Sequence, residues 1–220
     1  MTARPATVVN LCFHGIGTPG RELEPDEGQF WVSEEQFEEL LEVVQREPGL
    51  RVTFDDGNAS DVELALPALK RAGLSAAFFL IAGRIGQRGS VDADGVRELA
   101  RAGMTIGNHG LRHRPWRALD PNAEREELLD AQAAIAGAAG KAVDEASFPF
   151  GQYDRNALRA VRRAGFRRVY TVDGGPARAD AWLQSRHTIT SSESAATLEA
   201  IARAERGTAR AVSLALKRWR

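Results

Sequence analysis

Short apolar runs alternate with longer amphipathic runs along this chain, and several of the amphipathic runs end in glycine. The apolar runs, which we interpret as strands, cover residues 8–13, 50–54, 75–81, 104–106, 146–148, 168–172, 186–189 and 211–216. The amphipathic runs, which we interpret as helices, cover residues 33–45, 61–72, 92–102, 122–138, 155–164 and 195–206. This alternation predicts a parallel sheet with helices outside it, in a closed or nearly closed barrel; a doubly wound open sheet is the alternative.

Composition limits the classes of function. The 220 residues are 43% hydrophobic and 27% charged with a formal net charge of -1, which favours a globular chain over a nucleic-acid or membrane-binding one. Cys12 is the only cysteine, so the fold does not depend on a disulfide, and we expect it to be a small buried residue. With no leader or membrane span visible, we expect one domain over residues 1–220, in the cytoplasm and without membrane insertion. The sequence does not indicate an oligomeric state.

Two adjacent carboxylates, Asp55 and Asp56, end the second predicted strand in the run TFDDG. Polar residues at the carboxyl ends of barrel strands are where such folds place their chemistry. Two buried neighbouring carboxylates repel each other unless a charge such as a divalent cation neutralises one of them. The structural alternative is a solvated Asp-Gly turn.

Two of the four histidines, His109 and His113, follow the strand at 104–106 with i, i+4 spacing. On a helical turn this spacing puts both rings on one side, where they can share a metal ion. Together with Asp56 they would form a hydrolytic metal site with open positions for water and substrate. Two exposed histidines at this spacing by chance are the alternative.

A third segment, SFPFGQYD at residues 147–154, follows another predicted strand. Pro149 and Gly151 fix a tight turn there, and Phe150 can form the wall of a groove. An ordinary strand-to-helix turn explains the segment equally well, with Asp154 as the cap of the next helix.

The order TFDDG, then H-x-x-x-H, then F-P-F-G-x-Y-D resembles the polysaccharide deacetylases with a NodB-type domain, carbohydrate esterase family four. The similarity extends over residues 8–189. It implies a single distorted, incomplete (β/α) barrel and a hydrolase that removes an acetyl group from an N-acetylated saccharide. It also implies a divalent metal, zinc first, with cobalt, nickel or manganese as alternatives.

The resemblance assigns roles residue by residue. Asp55 corresponds to the general base, and Asp56, His109 and His113 correspond to the metal ligands. The backbone N–H of Phe150 corresponds to a donor for the oxyanion. The residues that would contact substrate are Pro149, Phe150, Gly151 and, from a looser match, Trp182.

The chain also departs from the family pattern. The histidine of the C-terminal Leu-x-His motif, the usual general acid, is absent; a subgroup acting on exopolysaccharide carries it on the first strand, as His14 does here. The arginine that orients the base is replaced by Ser147, and we expect Arg186 to substitute. His187 is the rival acid, but alternation along a strand lets only one of residues 186 and 187 face the barrel interior. Gly110 replaces the usual Ser or Thr and removes support for the histidine loop.

Two other functions stay open at this point. The first is a metal amidohydrolase or esterase of the same fold that acts on a small non-sugar substrate in a closed cavity. A groove lined by aromatic side chains would favour a sugar instead; the candidates are Phe30, Trp31, Trp116 and Trp182. The second alternative is a non-catalytic binding module, which would not need to keep the full set of acids and histidines.

Overall fold

The computed structural model describes residues 7–206, so the strand expected at 211–216 lies outside the described residues. The strands are β1 Thr7–Phe13, β2 Gly15–Ile16, β3 Trp31–Val32, β4 Leu50–Asp56, β5 Ala76–Leu80, β6 Thr105–Asn108, β7 Glu145–Ser147, β8 Arg168–Tyr170, β9 Ala177–Arg178, β10 Leu183–Gln184 and β11 Arg186–Thr188. The helices are α1 Glu34–Arg46, α2 Leu66–Ala72, α3 Ala93–Arg101, α4 Pro121–Glu124, α5 Ala131–Ala139, α6 Arg155–Arg163 and α7 Ala195–Arg206.

The main sheet curls until its two edges nearly meet. Its strands follow the order β10-β8-β7-β6-β5-β4-β1-β11, and every pairing along this path is parallel. The edge strands β10 and β11 are separated in the chain by Ser185 alone. One continuous segment, residues 183–188, therefore pairs with β8 at its start and with β1 at its end. This confirms the prediction of a distorted, incompletely closed (β/α) barrel over the open sheet.

Alternation along β1 separates the hydrophobic core from the barrel interior. Val9, Leu11 and Phe13 belong to the main core cluster, which lies between the sheet and the helices. Asn10 and Cys12 have the opposite parity, and in the parallel ladder they pair with Arg186 of β11 and Thr53 of β4. The barrel interior therefore holds polar groups together with the small cluster of Ala77, Phe79 and Tyr170, while most apolar side chains pack outward under the helices.

Side chains cap the N-termini of several helices, among them α1, α3, α4 and α6. Ser33 accepts a hydrogen bond from the backbone N–H of Gln36 at 3.1 Å, before α1. Asp92 and Asp154 cap α3 and α6 in the same way, each at 2.8 Å. The predicted role of Asp154 as a helix cap is confirmed.

The long helix predicted at 122–138 is interrupted by a π-helical turn, Arg125–Asp130. Such a turn inserts an extra residue and changes the face that its residues present. Glu127, which a regular helix would place on the solvent side, is fully buried in the structure. The described residues include no helix of the length and apolar character that a membrane crossing requires.

The centre of the outer core is an aromatic stack, and its loss is a test of the fold. The Phe54 and Phe78 rings stack at 4.7 Å between centroids, and both side chains are fully buried. Phe78→Ala leaves a cavity, and we expect it to lower the free energy of unfolding by about 3–5 kcal/mol in urea titrations. Leu129→Ala, at a side chain that is 47% exposed, should change it by less than about 0.5 kcal/mol. A Phe78→Ala loss no larger than that of the control would contradict this packing.

Candidate active site

The polar residues singled out in the sequence lie at one end of the barrel. Asp55 and Asp56 end β4, while His14 and His109 directly follow β1 and β6. Ser147 ends β7. Because all these strands run parallel, their carboxyl ends meet at the same rim, as the sequence predicts.

Arg186 lies inside the barrel with no solvent-exposed surface and uses all five of its N–H donors. Its Nη1 and Nη2 donate to the two Asp55 carboxylate oxygens, at 2.7 Å each. The remaining bonds go to Thr53 Oγ1, Ser147 Oγ and the carbonyl of Thr171. The guanidinium therefore fixes both oxygens of Asp55 and joins four elements of the barrel.

This pairing sets the charge of Asp55. Burial alone would raise the pKa of Asp55, but the charge and hydrogen bonds of Arg186, together with the nearby imidazoles of His109 and His14, outweigh burial and hold the pKa well below its usual range. Ser147 Oγ also donates to Asp55 Oδ2 at 3.1 Å. Asp55 is thus held as an oriented carboxylate at the rim of the barrel.

Asp56, His109 and His113 converge on one point. The Nε2 atoms of His109 and His113 lie 3.6 Å and 3.4 Å from Asp56 Oδ1. Ligand atoms of the three residues all lie within 4.8 Å of one another. The structure therefore brings together the three residues that the sequence predicted as metal ligands.

Hydrogen bonds on the far side of each ring determine which nitrogen faces this point. His109 Nδ1 lies 3.0 Å from the carbonyl oxygen of Ser147, and His113 Nδ1 lies 3.4 Å from Glu24 Oε1. Both partners only accept, so each Nδ1 carries the proton and each Nε2 turns a lone pair inward. Burial also lowers the pKa of His109 to about 4.

Three acceptor atoms thus face one another without a proton between them. Asp56 Oδ1 is buried and has no hydrogen-bond partner among the described residues. A buried carboxylate oxygen without a donor is costly, and a cation at this point would satisfy it together with both imidazoles. Two histidines and one carboxylate are a donor set that suits a divalent ion of the zinc type.

The two histidines meet in a loop rather than on the helical turn that the i, i+4 spacing suggested. Gly110 and His113 both have positive φ, 88° and 51°, and the rings lie 5.4 Å apart. Glu127, buried by the π-helical turn, accepts hydrogen bonds from the backbone N–H groups of Leu111 and Arg112. A Cβ at residue 110 would lie 2.3 Å from Glu127 Oε2, and this contact together with the positive φ favours glycine there. Gly110 lacks the hydroxyl that the family's Ser or Thr provides to the histidine loop, and Glu127 supports the loop instead. The sequence did not reveal this role of Glu127.

Left-handed backbone conformations concentrate at this rim. Asp56, His113 and Phe150 have φ values of 81°, 51° and 57°, a region that costs a non-glycine residue energy. Each of the three is a residue singled out in the sequence for ligand binding or the groove wall. Such strain persists only where the surrounding structure holds it, and it is typical of functional sites.

A cavity of about 340 Å³ opens over these residues. Asp55, His109, His113 and His14 line it, and Phe150, 49% exposed, extends it to the surface. Residues of the long loop between β2 and β3 complete the wall: Glu24, Pro25, Asp26, Glu27, Gln29 and Phe30. The sequence signalled this loop only by its unusual length.

Glu24 in this loop is a residue that the sequence analysis missed. Its carboxylate contacts His113 Nδ1 and also forms an ion pair with Arg84. A carboxylate behind an imidazole fixes the ring orientation and the tautomer. The loop therefore contributes to positioning His113 as well as enclosing the cavity.

Residues 186 and 187 face opposite sides, as alternation requires. Arg186 enters the barrel, whereas His187 Nε2 accepts a hydrogen bond from the backbone N–H of Gly175 at 2.9 Å. His14 lines the cavity, its ring 5.0 Å from that of Phe30, and its Nδ1 is buried without a partner among the described residues. The geometry thus places His14, and not His187, beside the acids.

Trp182 does not line the cavity, so the prediction that it contacts substrate is corrected. Its Nε1 donates to the carbonyl of Phe166 at 2.9 Å, and the guanidinium of Arg162 stacks on its ring at 3.9 Å. Trp182 therefore packs against α6 and the second core cluster. Trp31 and Trp116 are buried and do not line the cavity either. Of the four aromatic residues proposed from the sequence, Phe30 lines it.

Comparisons with known proteins agree on one family. A family model described as Polysaccharide deacetylase matches residues 43–169, more than half of the chain. YxkH of Bacillus subtilis (strain 168), whose name assigns it to the same group, is 24% identical over 203 residues, 86% of this chain and 72% of YxkH.

Solved structures show the same fold. The Streptococcus pyogenes deacetylase PplD, in complex with acetate, superposes with a TM-score of 0.77 and 19% identity over 90% of this chain and 98% of PplD. IcaB from Ammonifex degensii gives a TM-score of 0.74 and 23% identity over 89% of this chain and 97% of IcaB.

The buried ion pair provides a test of the site's architecture. Arg186→Met leaves the Asp55 carboxylate buried without its cation, and we expect it to lower the free energy of unfolding by about 3–5 kcal/mol in urea titrations. Arg178→Met is the matched control, because Arg178 pairs with Asp180 on the exposed surface, where ion pairs contribute little. Equal effects of the two substitutions would show that Asp55 and Arg186 are not coupled as described.

Proposed function

This chain belongs to the polysaccharide deacetylase family, and from that premise we propose that it is a metal-dependent hydrolase that removes the acetyl group from an N-acetylated saccharide. The observation that carries the proposal is the set of three acceptor atoms on the buried Asp56 and His109 and the partly buried His113, with the oriented carboxylate of Asp55 beside them. We further propose that it resembles the exopolysaccharide-deacetylase subgroup, because His14 follows β1.

Asp56, His109 and His113 would hold the divalent ion, with zinc as the first candidate from the donor set. The ion, when bound, supplies Lewis acidity toward a carbonyl oxygen and toward water. The chain supplies the orientation of the ligands, through Ser147 and Glu24 behind the two imidazoles.

Asp55 acts as the general base in this proposal. Both of its oxygens are held by Arg186, so the carboxylate is fixed at the position where it accepts a proton from the attacking water. The low pKa of Asp55 keeps it ionised before the reaction. Arg186 is a positioning residue, because it acts through Asp55.

His14 acts as the general acid, and the groove wall holds the substrate. An amine leaves poorly without a proton, so amide hydrolysis requires a donor on the leaving-group side, and His14 lines the cavity close to Asp55. The backbone N–H of Phe150 would donate to the developing oxyanion. Phe30 and Phe150 provide apolar faces against which a sugar ring can stack.

Mass spectrometry of acetylated chito-oligosaccharides tests the reaction class. The metal-loaded protein should remove acetyl groups one at a time, and the protein treated with a chelator should not. Asp55→Asn should lower kcat by about 10²- to 10⁴-fold, because it removes the general base. The control Asp94→Asn removes an exposed carboxylate on α3 and should have no effect. Full activity in Asp55→Asn or in chelated protein would overturn the mechanism.

The identity of the acid can be tested by comparing an amide with an ester. His14→Gln should lower kcat on the N-acetylated sugar by about 10²- to 10⁴-fold. Hydrolysis of an aryl acetate should change little, because a phenolate leaves without protonation. His187→Gln is the matched control, and its activity on both substrates should stay near that of the wild type. Equal losses on amide and ester in His14→Gln would contradict the acid role.

A further inference from the structure

A second group of metal-ligating side chains lies beside the proposed catalytic site. Ligand atoms of Cys12, His14 and Asp55 all lie within 4.8 Å of one another. The sheet brings them together: Cys12 pairs with Thr53 in the β1–β4 ladder, and the same register continued by two residues puts His14 beside Asp55. Residues two apart along a strand, and residues paired across neighbouring strands, point to the same side of a sheet. Here that side is the barrel interior.

Two features of this group are unexplained by the proposed mechanism. Cys12 is fully buried and has no role in catalysis, and the hydrogen bond from its sulfur to the Phe13 carbonyl is long, at 3.8 Å. His14 Nδ1 is buried and has no hydrogen-bond partner among the residues that the structure describes. A buried polar atom without a partner indicates a missing ligand, ion or water.

We propose that Cys12, His14 and Asp55 form a second, inhibitory binding site for a thiophilic divalent cation such as Zn²⁺ or Cd²⁺. A thiolate, an imidazole and a carboxylate together suit zinc and its heavier relative, whereas Mg²⁺ and Mn²⁺ prefer oxygen ligands. Zinc–ligand bonds of about 2.0–2.3 Å place tetrahedral ligands roughly 3.5 Å apart, so small movements of Cys12 and His14 toward the fixed Asp55 carboxylate suffice. The thiol proton leaves to solvent when the cation binds, and no electron transfer is involved.

The regulatory consequence rests on the proposed function. An ion held by Asp55 and His14 occupies the base and the acid together, so neither can transfer a proton. The cavity over His14 and Asp55 provides the route from solvent. The deacetylase would therefore work with one bound metal ion and stop when a thiophilic ion is in excess.

Cobalt(II) titrated into the metal-free full chain tests the site without an activity assay. The wild-type protein should bind two equivalents, and the second should produce a thiolate-to-cobalt charge-transfer band in the near ultraviolet. Cys12→Ser should bind one equivalent and produce no such band. Cys12→Ala serves as a second variant if circular dichroism shows that Cys12→Ser is misfolded. A wild-type protein that binds one equivalent with no charge-transfer band would overturn the proposal.

Activity measurements test the inhibitory role. Wild-type protein carrying one equivalent of Zn²⁺ should lose deacetylation when Zn²⁺ or Cd²⁺ is added in excess, and should not respond to Mn²⁺. Cys12→Ser should keep the basal activity and need at least about tenfold more Zn²⁺ for the same inhibition, because a ligand is missing. Equal sensitivity in both proteins would overturn inhibition through Cys12. If the wild-type protein deacetylates nothing, the proposed function fails, while the cobalt titration still decides the second site.

Discussion

The buried ion pair between Arg186 and Asp55 is the interaction on which the rest of this structure depends. Arg186 belongs to the segment that closes the barrel, and its side chain reaches β4, β7 and the residue after β8. A guanidinium in the barrel interior is stable only when all its donors are satisfied and its charge is balanced, and both conditions are met here. The same side chain therefore closes the barrel and orients the Asp55 carboxylate.

The rim of the barrel combines rigid strands with strained turns. Asp56, His113 and Phe150 adopt left-handed backbone conformations, Asp56 at the end of β4 and the other two in the loops that follow β6 and β7. Their cost is offset by the hydrogen bonds that hold the turns, above all those from the histidine loop to Glu127. The strands position the acids, and the loops aim the imidazoles at the same point.

Local sequence patterns predicted the helices and strands. The positions of individual side chains that depend on long-range packing were not predictable from these patterns. The cap predicted at Asp154 is confirmed, because a cap depends on residues three apart in the chain. Trp182 was misjudged because it packs on α6, an element distant in sequence. Glu127 would lie on the solvent side of a regular helix, and the π-helical turn instead turns it inward to the histidine loop. Glu24 escaped notice because nothing in an irregular loop indicates which side chain turns inward.

The sequence by itself determined the βα order and the set of acids and histidines at strand ends, because residue parity and strand direction follow from local periodicity. Alternation allowed only one of Arg186 and His187 to face the interior, and Ser147 in place of the family arginine favoured Arg186. Only the tertiary structure decided how β10 and β11 connect the two edges of the main sheet. It also decided which imidazole nitrogens face Asp56, and that Cys12 lies within reach of His14 and Asp55. These relations depend on contacts between strands far apart in the chain, and no local pattern carries that information.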